Sequence, residues 1–246
     1  RFPDKGNTLP APARIVAIHR QSMGAGHGLG RGRLPVSRAN RLSGRYAVSV
    51  MDVNRESCPY AAFFCEENIW RLARQLIDGG AEADALQVLL FSNPNESVLL
   101  LKQRAAPPVR PVVWDYHVVL RAREADGDFI LDPDSRLQFP TPTADYLRDT
   151  FPDQSRLPPR LRTLVRSIPA ASYLAHFYSD RSHMQGRLPR SAFPDYPIIR
   201  PDTAVRRIEL AAYRDPHREL RDGSRVTAID ALIAAEARAA VSQPGR

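Results

Sequence analysis

A chain of 246 residues, 43% hydrophobic and 25% charged, has the material for one sizeable core and is not disordered throughout. Its longest apolar clusters, 88–91 and 98–101, fall far short of the roughly 18 residues a membrane span needs. The formal charge of +8 rests on arginine, only Lys5 and Lys102 being lysines; spread among Ala and Pro without stacking aromatics, it leaves no nucleic-acid footprint.

The chain opens Arg1-Phe2-Pro3-Asp4-Lys5, with no initiator Met and no apolar stretch behind a basic start. The opening therefore reads as a cut, with any secretory signal absent or removed. Residues 1–45 hold Pro10, Pro12 and Gly24, Gly26, Gly28, Gly30 and Gly32 interleaved with Arg31, Arg33, Arg38 and Arg41, the composition of a linker or arm. A nucleotide loop fails there, because G-x-G-x-x-G is unmatched in every frame. Residues 46–246 are expected to form one domain. Cys58 and Cys65 cannot build a multi-disulfide framework, and a reducing, cytoplasmic setting follows.

From Phe64 the period turns helical, with Ile69, Leu72, Ala73, Leu76 and Ile77 on one stripe and Glu66, Glu67, Arg71, Arg74 and Gln75 away from it; Gly79-Gly80 ends the helix. A second helix is expected over 82–90, a turn at Ser92-Asn93-Pro94-Asn95 and a short strand at 98–101. Residues 112–120 read as one strand. A second, 128–132, follows across Glu124-Ala125-Asp126-Gly127, which makes an antiparallel hairpin. Helical or turn segments are expected at 142–150, 157–167 and 172–178, a proline-studded surface stretch at 189–201, and helices near 206–213 and 226–240. The fold class is α+β.

Cys65 opens a helix, where unpaired amides and the helix dipole favour a thiolate, although Glu66 and Glu67 would raise its pKa. On position alone a small buried hydrophobe is the commoner reading of such a cysteine. His117 sits in an otherwise apolar strand and needs polar partners. Alternation puts Val113, Asp115, His117 and Val119 on one face. Pairing His117 directly with Asp132 would centre the connection between Glu124 and Ala125 and place both side chains on that face. A nucleophile, base and orienter then each have a residue.

Cys58-Pro-Tyr, Phe64-Cys65-Glu66-Glu67-Asn68-Ile69-Trp70, the strand around Trp114-Asp115-Tyr116-His117, Leu131-Asp132-Pro133-Asp134 and Ser179-Asp180-Arg181-Ser182-His183-Met184 resemble, in order, the motifs of the protein N-terminal glutamine amidohydrolase family over roughly residues 55–200. The resemblance implies a papain-like or transglutaminase-like core in which the cysteine's helix packs on an antiparallel sheet. It also implies deamidation of N-terminal Gln to Glu, a step that can expose a protein to N-degron degradation. By position the family's catalytic residues fall on Cys65, His117 and Asp132. Residues 1–50 find no counterpart, and beyond Tyr196 the match is loose.

Chemistry through a Cys65 thioester and a His117 acid and base needs neither metal nor cofactor, and His19, His27, His176 and His217 lack ligand spacing. The partners expected are proteins or peptides with N-terminal Gln, taken by a monomer. Their α-ammonium calls for a carboxylate, with Asp115 and Asp134 first, placed opposite each other by that register, and Glu66 also in reach. Cys58 reads as structural and His183 as a loop-locking hydrogen-bond donor. The rival is a deamidase, protease or transglutaminase of the same fold, cut from a secreted effector or toxin and acting on internal Gln or a peptide bond.

Overall fold

A computed structural model describes residues 49–242 of the chain; the expected arm of residues 1–45 lies outside them. The first long element is α1 (Cys65–Asp78), whose stripe of Ile69, Leu72, Ala73 and Leu76 is completely buried as the period predicts. Gly80, at φ 100°, turns the chain away from its end. Glu66 and Glu67 depart from the expectation, since both are fully buried. Period alone places them off the apolar stripe, but polar partners from distant segments enclose the first turn of this helix.

The helix expected over 82–90 is instead a short 3-10 turn, Ala83–Ala85, followed by strand β1 (Leu86–Ser92). An apolar run such as Val88-Leu89-Leu90-Phe91 fits a buried helix and a buried strand equally, and here both faces are covered. Next come β2 (Val98–Leu100), β3 (Val112–Trp114), β4 (His117–Glu124) and β5 (Gly127–Leu131). The single strand expected over 112–120 is therefore broken at Asp115-Tyr116. β3 pairs with β2, while β4 joins the main sheet. The β4–β5 hairpin closes through two residues, Ala125-Asp126, with Leu120 opposite Leu131 and Glu124 opposite Gly127. That register is two residues from the expected one, so His117 and Asp132 are not directly opposed. An even slip keeps parity, and both stay on one face of the sheet.

Then follow β6 (Thr141–Pro142), α2 (Thr143–Thr150), β7 (Leu164–Pro169), α3 (Ala170–His176), β8 (Phe177–Tyr178), β9 (Ile208–Glu209), α4 (Leu210–Arg214), β10 (Arg225–Ala228) and α5 (Ile229–Ser242). The helical or turn reading of 157–167 holds at the 3-10 turn Pro159–Leu161 and is corrected by β7 from Leu164 on, and β10 corrects the start of the helix expected over 226–240. Their strand geometry comes from lying beside β1 and β7 respectively, a non-local pairing that local propensity does not report.

The main sheet runs β10-β7-β1-β4-β5-β6, antiparallel throughout. On one face Val88, Leu90, Val118 and Leu120 pack with α1, α3 and α4. On the other, Leu89, Phe91, Val119 and Ile130 pack with Tyr146 and Leu147 of α2 and Ile229 of α5. This mixed α/β architecture, compatible with α+β, stands α1 against β4 and brings Cys65 to the strand that His117 begins. No helix among the described residues is long and apolar enough to cross a membrane.

Candidate active site

The loop ahead of α1 is clamped by the helix itself. Asn68 accepts the Ala61 N–H through Oδ1 at 2.7 Å and donates from Nδ2 to the Ala61 carbonyl at 2.9 Å. Phe63 between them holds a φ of 74°, a left-handed conformation that costs a bulky residue on the order of 1 kcal/mol and is retained only where the surroundings enforce it. Phe64 is fully buried against Phe193. Cys65 is thereby fixed as the half-buried first residue of α1, where no side chain caps the helix amides. Burial, then the Glu66 carboxylate, push its thiol well above the usual range, while the Val118 backbone favours the thiolate.

Val118 follows His117, whose Nε2 lies 3.0 Å from Asp132 Oδ2 with both side chains buried. Tyr146 donates its O–H to the same oxygen at 2.8 Å, and the Asp134 N–H binds Oδ1 at 3.0 Å. Burial opposes both charges. The hydrogen-bonded pair outweighs it, so the His117 pKa is raised and that of Asp132 lowered. An ionised carboxylate only accepts, which assigns the Nε2 proton to His117 and leaves Nδ1, buried without a hydrogen-bond partner, as the basic nitrogen. Trp114 packs on the imidazole with ring centroids 5.0 Å apart.

The two buried glutamates serve different ends. Glu67 takes Arg181 through Nε at 3.0 Å and Nη2 at 2.9 Å, and Ser179 Oγ at 2.7 Å; Arg181 also donates to the carbonyls of Pro194 and Tyr196. The 179–197 segment is thus pinned to α1, with His183 brought over Glu66. Glu66 Oε2 accepts from Tyr116 O–H at 2.8 Å and lies 3.7 Å from Cys65 Sγ, and His183 Nε2 stands 3.4 Å from Oε1. Burial raises the Glu66 pKa to about 7 against the pull of its own backbone N–H and Tyr116. Burial and Arg214 lower that of His183 to about 4.

Cys65, His117, Asp132, Glu66 and Asp134 therefore gather at one end of β4. Asp134 accepts from Tyr60 O–H at 2.7 Å, and burial and Asp132 raise its pKa. Asp115 is turned elsewhere, ion-paired to Arg187 at 2.8 Å with Arg214 3.8 Å away; the break in the strand ends the alternation that placed it with His117 and opposite Asp134. Cys58 is buried, donates to the Asn54 carbonyl, and has its pKa pushed by burial to about 12. Sequence reasoning missed Tyr146 and the Glu67–Arg181 pair: nothing in a helical pattern marks the Tyr that reaches Asp132, and 114 residues separate the ion pair. Ligand atoms of His117, Asp132 and Asp134 lie within 4.8 Å of one another, and this cluster includes the His117–Asp132 bond and the Asp134 carboxylate that Tyr60 binds.

The comparisons with known proteins cover the same segments. The family described as N-terminal glutamine amidase matches residues 60–234. The Bos taurus protein N-terminal glutamine amidohydrolase is 38% identical over 149 residues, 59% of this chain and 72% of the relative. Its Homo sapiens counterpart is also 38% identical, over 59% and 73%, and that of Danio rerio is 32% identical over 162 residues, 63% and 80%. With every site element from Tyr60 to Arg214 inside the matched span, the chain belongs to the N-terminal glutamine amidase family.

Proposed function

We propose that this chain is an amide hydrolase that converts the N-terminal glutamine of proteins or peptides to glutamate with release of ammonia. The observation that carries the reading is the buried His117–Asp132 pair, its Nδ1 unpartnered, on the strand against which the Cys65 helix packs. A cysteine at the start of a helix on an antiparallel sheet is also the arrangement of a papain-like or transglutaminase-like core, and the relatives' names supply the reaction.

In this reading Nδ1 of His117 takes the Cys65 thiol proton as Sγ attacks the side-chain amide carbon. The raised thiol pKa makes that base necessary, since little thiolate exists at rest. The carbonyl oxygen becomes an oxyanion that the Cys65 backbone N–H, uncapped at the helix start, can meet. The imidazolium returns its proton to the departing nitrogen, ammonia leaves and a thioester remains. Water then gives a proton to His117 and its oxygen to the acyl carbon; the C–S bond breaks, and the γ-carboxylate and free thiol are restored. Asp132 holds the tautomer and stabilises the imidazolium, and Tyr146 holds Asp132. The chain is proposed to act as a monomer without cofactor, and its two free cysteines suit a reducing, cytoplasmic compartment.

Paired peptides test the reading by mass spectrometry. A peptide with free N-terminal Gln is expected to gain the roughly 1 Da of an amide-to-acid change, while the acetylated and internal-Gln versions stay unmodified. Equal deamidation of all three would replace it with an internal-Gln deamidase, and peptide cleavage with a protease.

A further inference from the structure

We infer that Glu66 is the carboxylate that reads the free α-ammonium of the substrate's first residue, which makes the residue beside the proposed nucleophile the determinant of N-terminal specificity. The inference rests on the proposed function and adds the group that recognises the amine. Four bonds separate the reacting amide carbon of glutamine from its α-nitrogen, roughly 5 Å at full extension. Attack needs that carbon about 3–3.5 Å from Sγ. A carboxylate that meets the ammonium must therefore lie a short way from the sulfur, and the acidic groups there can be taken one by one.

Asp132 is committed to His117 and Tyr146. Glu67 is satisfied by Arg181 and Ser179, and Asp115 by Arg187. Asp134 already accepts from Tyr60. Glu66 differs, because its Oε2 is 3.7 Å from Sγ and hydrogen-bonded to Tyr116, while Oε1 is buried with no hydrogen-bond partner. A buried carboxylate oxygen in that condition costs stability unless something arrives to use it. Two of its polar neighbours reach the surface, Cys65 and His183, the latter with 18% of its side chain exposed. The oxygen without a hydrogen-bond partner thus lies directly behind the two side chains, Cys65 and His183, that face solvent.

The surroundings suit a cation. The groups facing Glu66 are Cys65 and Glu67 on its own helix, Tyr116 from the turn before β4, Tyr173 from α3 to its backbone carbonyl, and His183 from the 3-10 turn Ser182–Met184. Arg181 is held by Glu67, and Arg214 lies over the Tyr116 ring, ion-paired to Glu96. No cation among the described residues donates a hydrogen bond to Glu66, and His183 is held neutral. An arriving ammonium would draw out the ionised form of Glu66 in a desolvated setting, where pairing is strong. With its pKa near 7, Glu66 would lose a proton as the ammonium binds.

The test compares a tripeptide beginning with free Gln against the same peptide beginning with a glutaramyl group, which keeps the carboxamide and lacks the α-amine. The unmodified protein is expected to favour the amine by about 10- to 100-fold in kcat/KM. Glu66→Gln is expected to bring that ratio close to one, and Asp134→Asn to leave it standing. Glu66→Gln retaining the ratio overturns the inference while the function stands; collapse only in Asp134→Asn moves the role to Asp134. No ammonia from the Gln tripeptide with the unmodified protein defeats the proposed function itself. A ratio of one in that protein defeats amine recognition. Should Glu66→Gln not fold, calorimetry of the Cys65→Ala protein near pH 7, in buffers of different ionisation enthalpy, gives the answer. Proton release on binding the Gln tripeptide, and none with the glutaramyl peptide, supports Glu66; equal proton uptake or release overturns it.

Discussion

Two cysteines seven positions apart meet opposite surroundings. Cys58 is closed in against the Asn54 carbonyl with its pKa near 12, whereas Cys65 shares the end of β4 with the His117–Asp132 pair. Cys65→Ser is therefore expected to abolish ammonia release with circular dichroism unchanged, and Cys58→Ser to retain most of it. The opposite pattern would exchange the nucleophile. Tyr146→Phe removes one of the hydrogen bonds that keep Asp132 ionised and aligned, and should lower kcat about tenfold with KM little changed, since the loss falls on the proposed chemical step. Glu66 also carries a pH signature. A carboxyl whose folded pKa is raised from 4.5 to about 7 keeps its proton in the folded state after the unfolded state has lost it. Stability then falls as pH rises through that window. Relative to Glu66→Gln, the unmodified protein should lose on the order of 3 kcal/mol between pH 4 and pH 8 in urea unfolding. A pH-independent difference would show that folding leaves the Glu66 pKa unshifted.

Among elements, α1 does more than present a cysteine. Its second residue meets Tyr116 and His183, its third Arg181, and its fourth clamps the loop behind the cysteine. The Glu67–Arg181 pair is buried on both sides, so Arg181→Met leaves an uncompensated charge and should cost about 3–5 kcal/mol, while Glu67→Met with Arg181→Met should cost much less. Denaturant midpoints of the two proteins decide this; equal losses would mean that the ion pair itself holds the 179–197 segment. The apolar stripe of α1 was legible from spacing alone, because one face meets one sheet. The burial of its first turn was not, since the partners that make the two glutamates tolerable there come from 50 residues away for Glu66 and from 112 and 114 for Glu67. Local pattern failed again at β1, β7 and β10, where neighbouring strands decide the conformation.

On the scale of the whole molecule, the described core reaches back to Val50 and Val53, both buried, and the Val50 N–H binds Glu124 Oε1 at 2.8 Å. We propose that residues 46–246 are the catalytic domain and 1–45 an appended arm. Removing residues 1–45 should leave both melting temperature and deamidation nearly unchanged, whereas removing 1–54 strips two core valines and should lower Tm by several degrees, as expected for a few kcal/mol. Loss of activity with the shorter deletion would make the arm part of the site.

The sequence by itself determined the chemistry-bearing residue types, the helix that starts at Cys65, the β4–β5 hairpin and the shared face of His117 and Asp132, because each depends on local spacing and on parity along a strand. Tertiary structure decided the two-residue register shift, the break at Asp115-Tyr116 that turns Asp115 towards Arg187, and the reach of Tyr146 to Asp132. It also decided which carboxylate keeps one oxygen without a hydrogen-bond partner. That last distinction is a matter of hydrogen bonds and ion pairs across 50 or more residues of chain, and no periodicity carries it: Glu66 and Glu67 are adjacent and identical, and only their distant neighbours make one a clamp and leave the other an open acceptor.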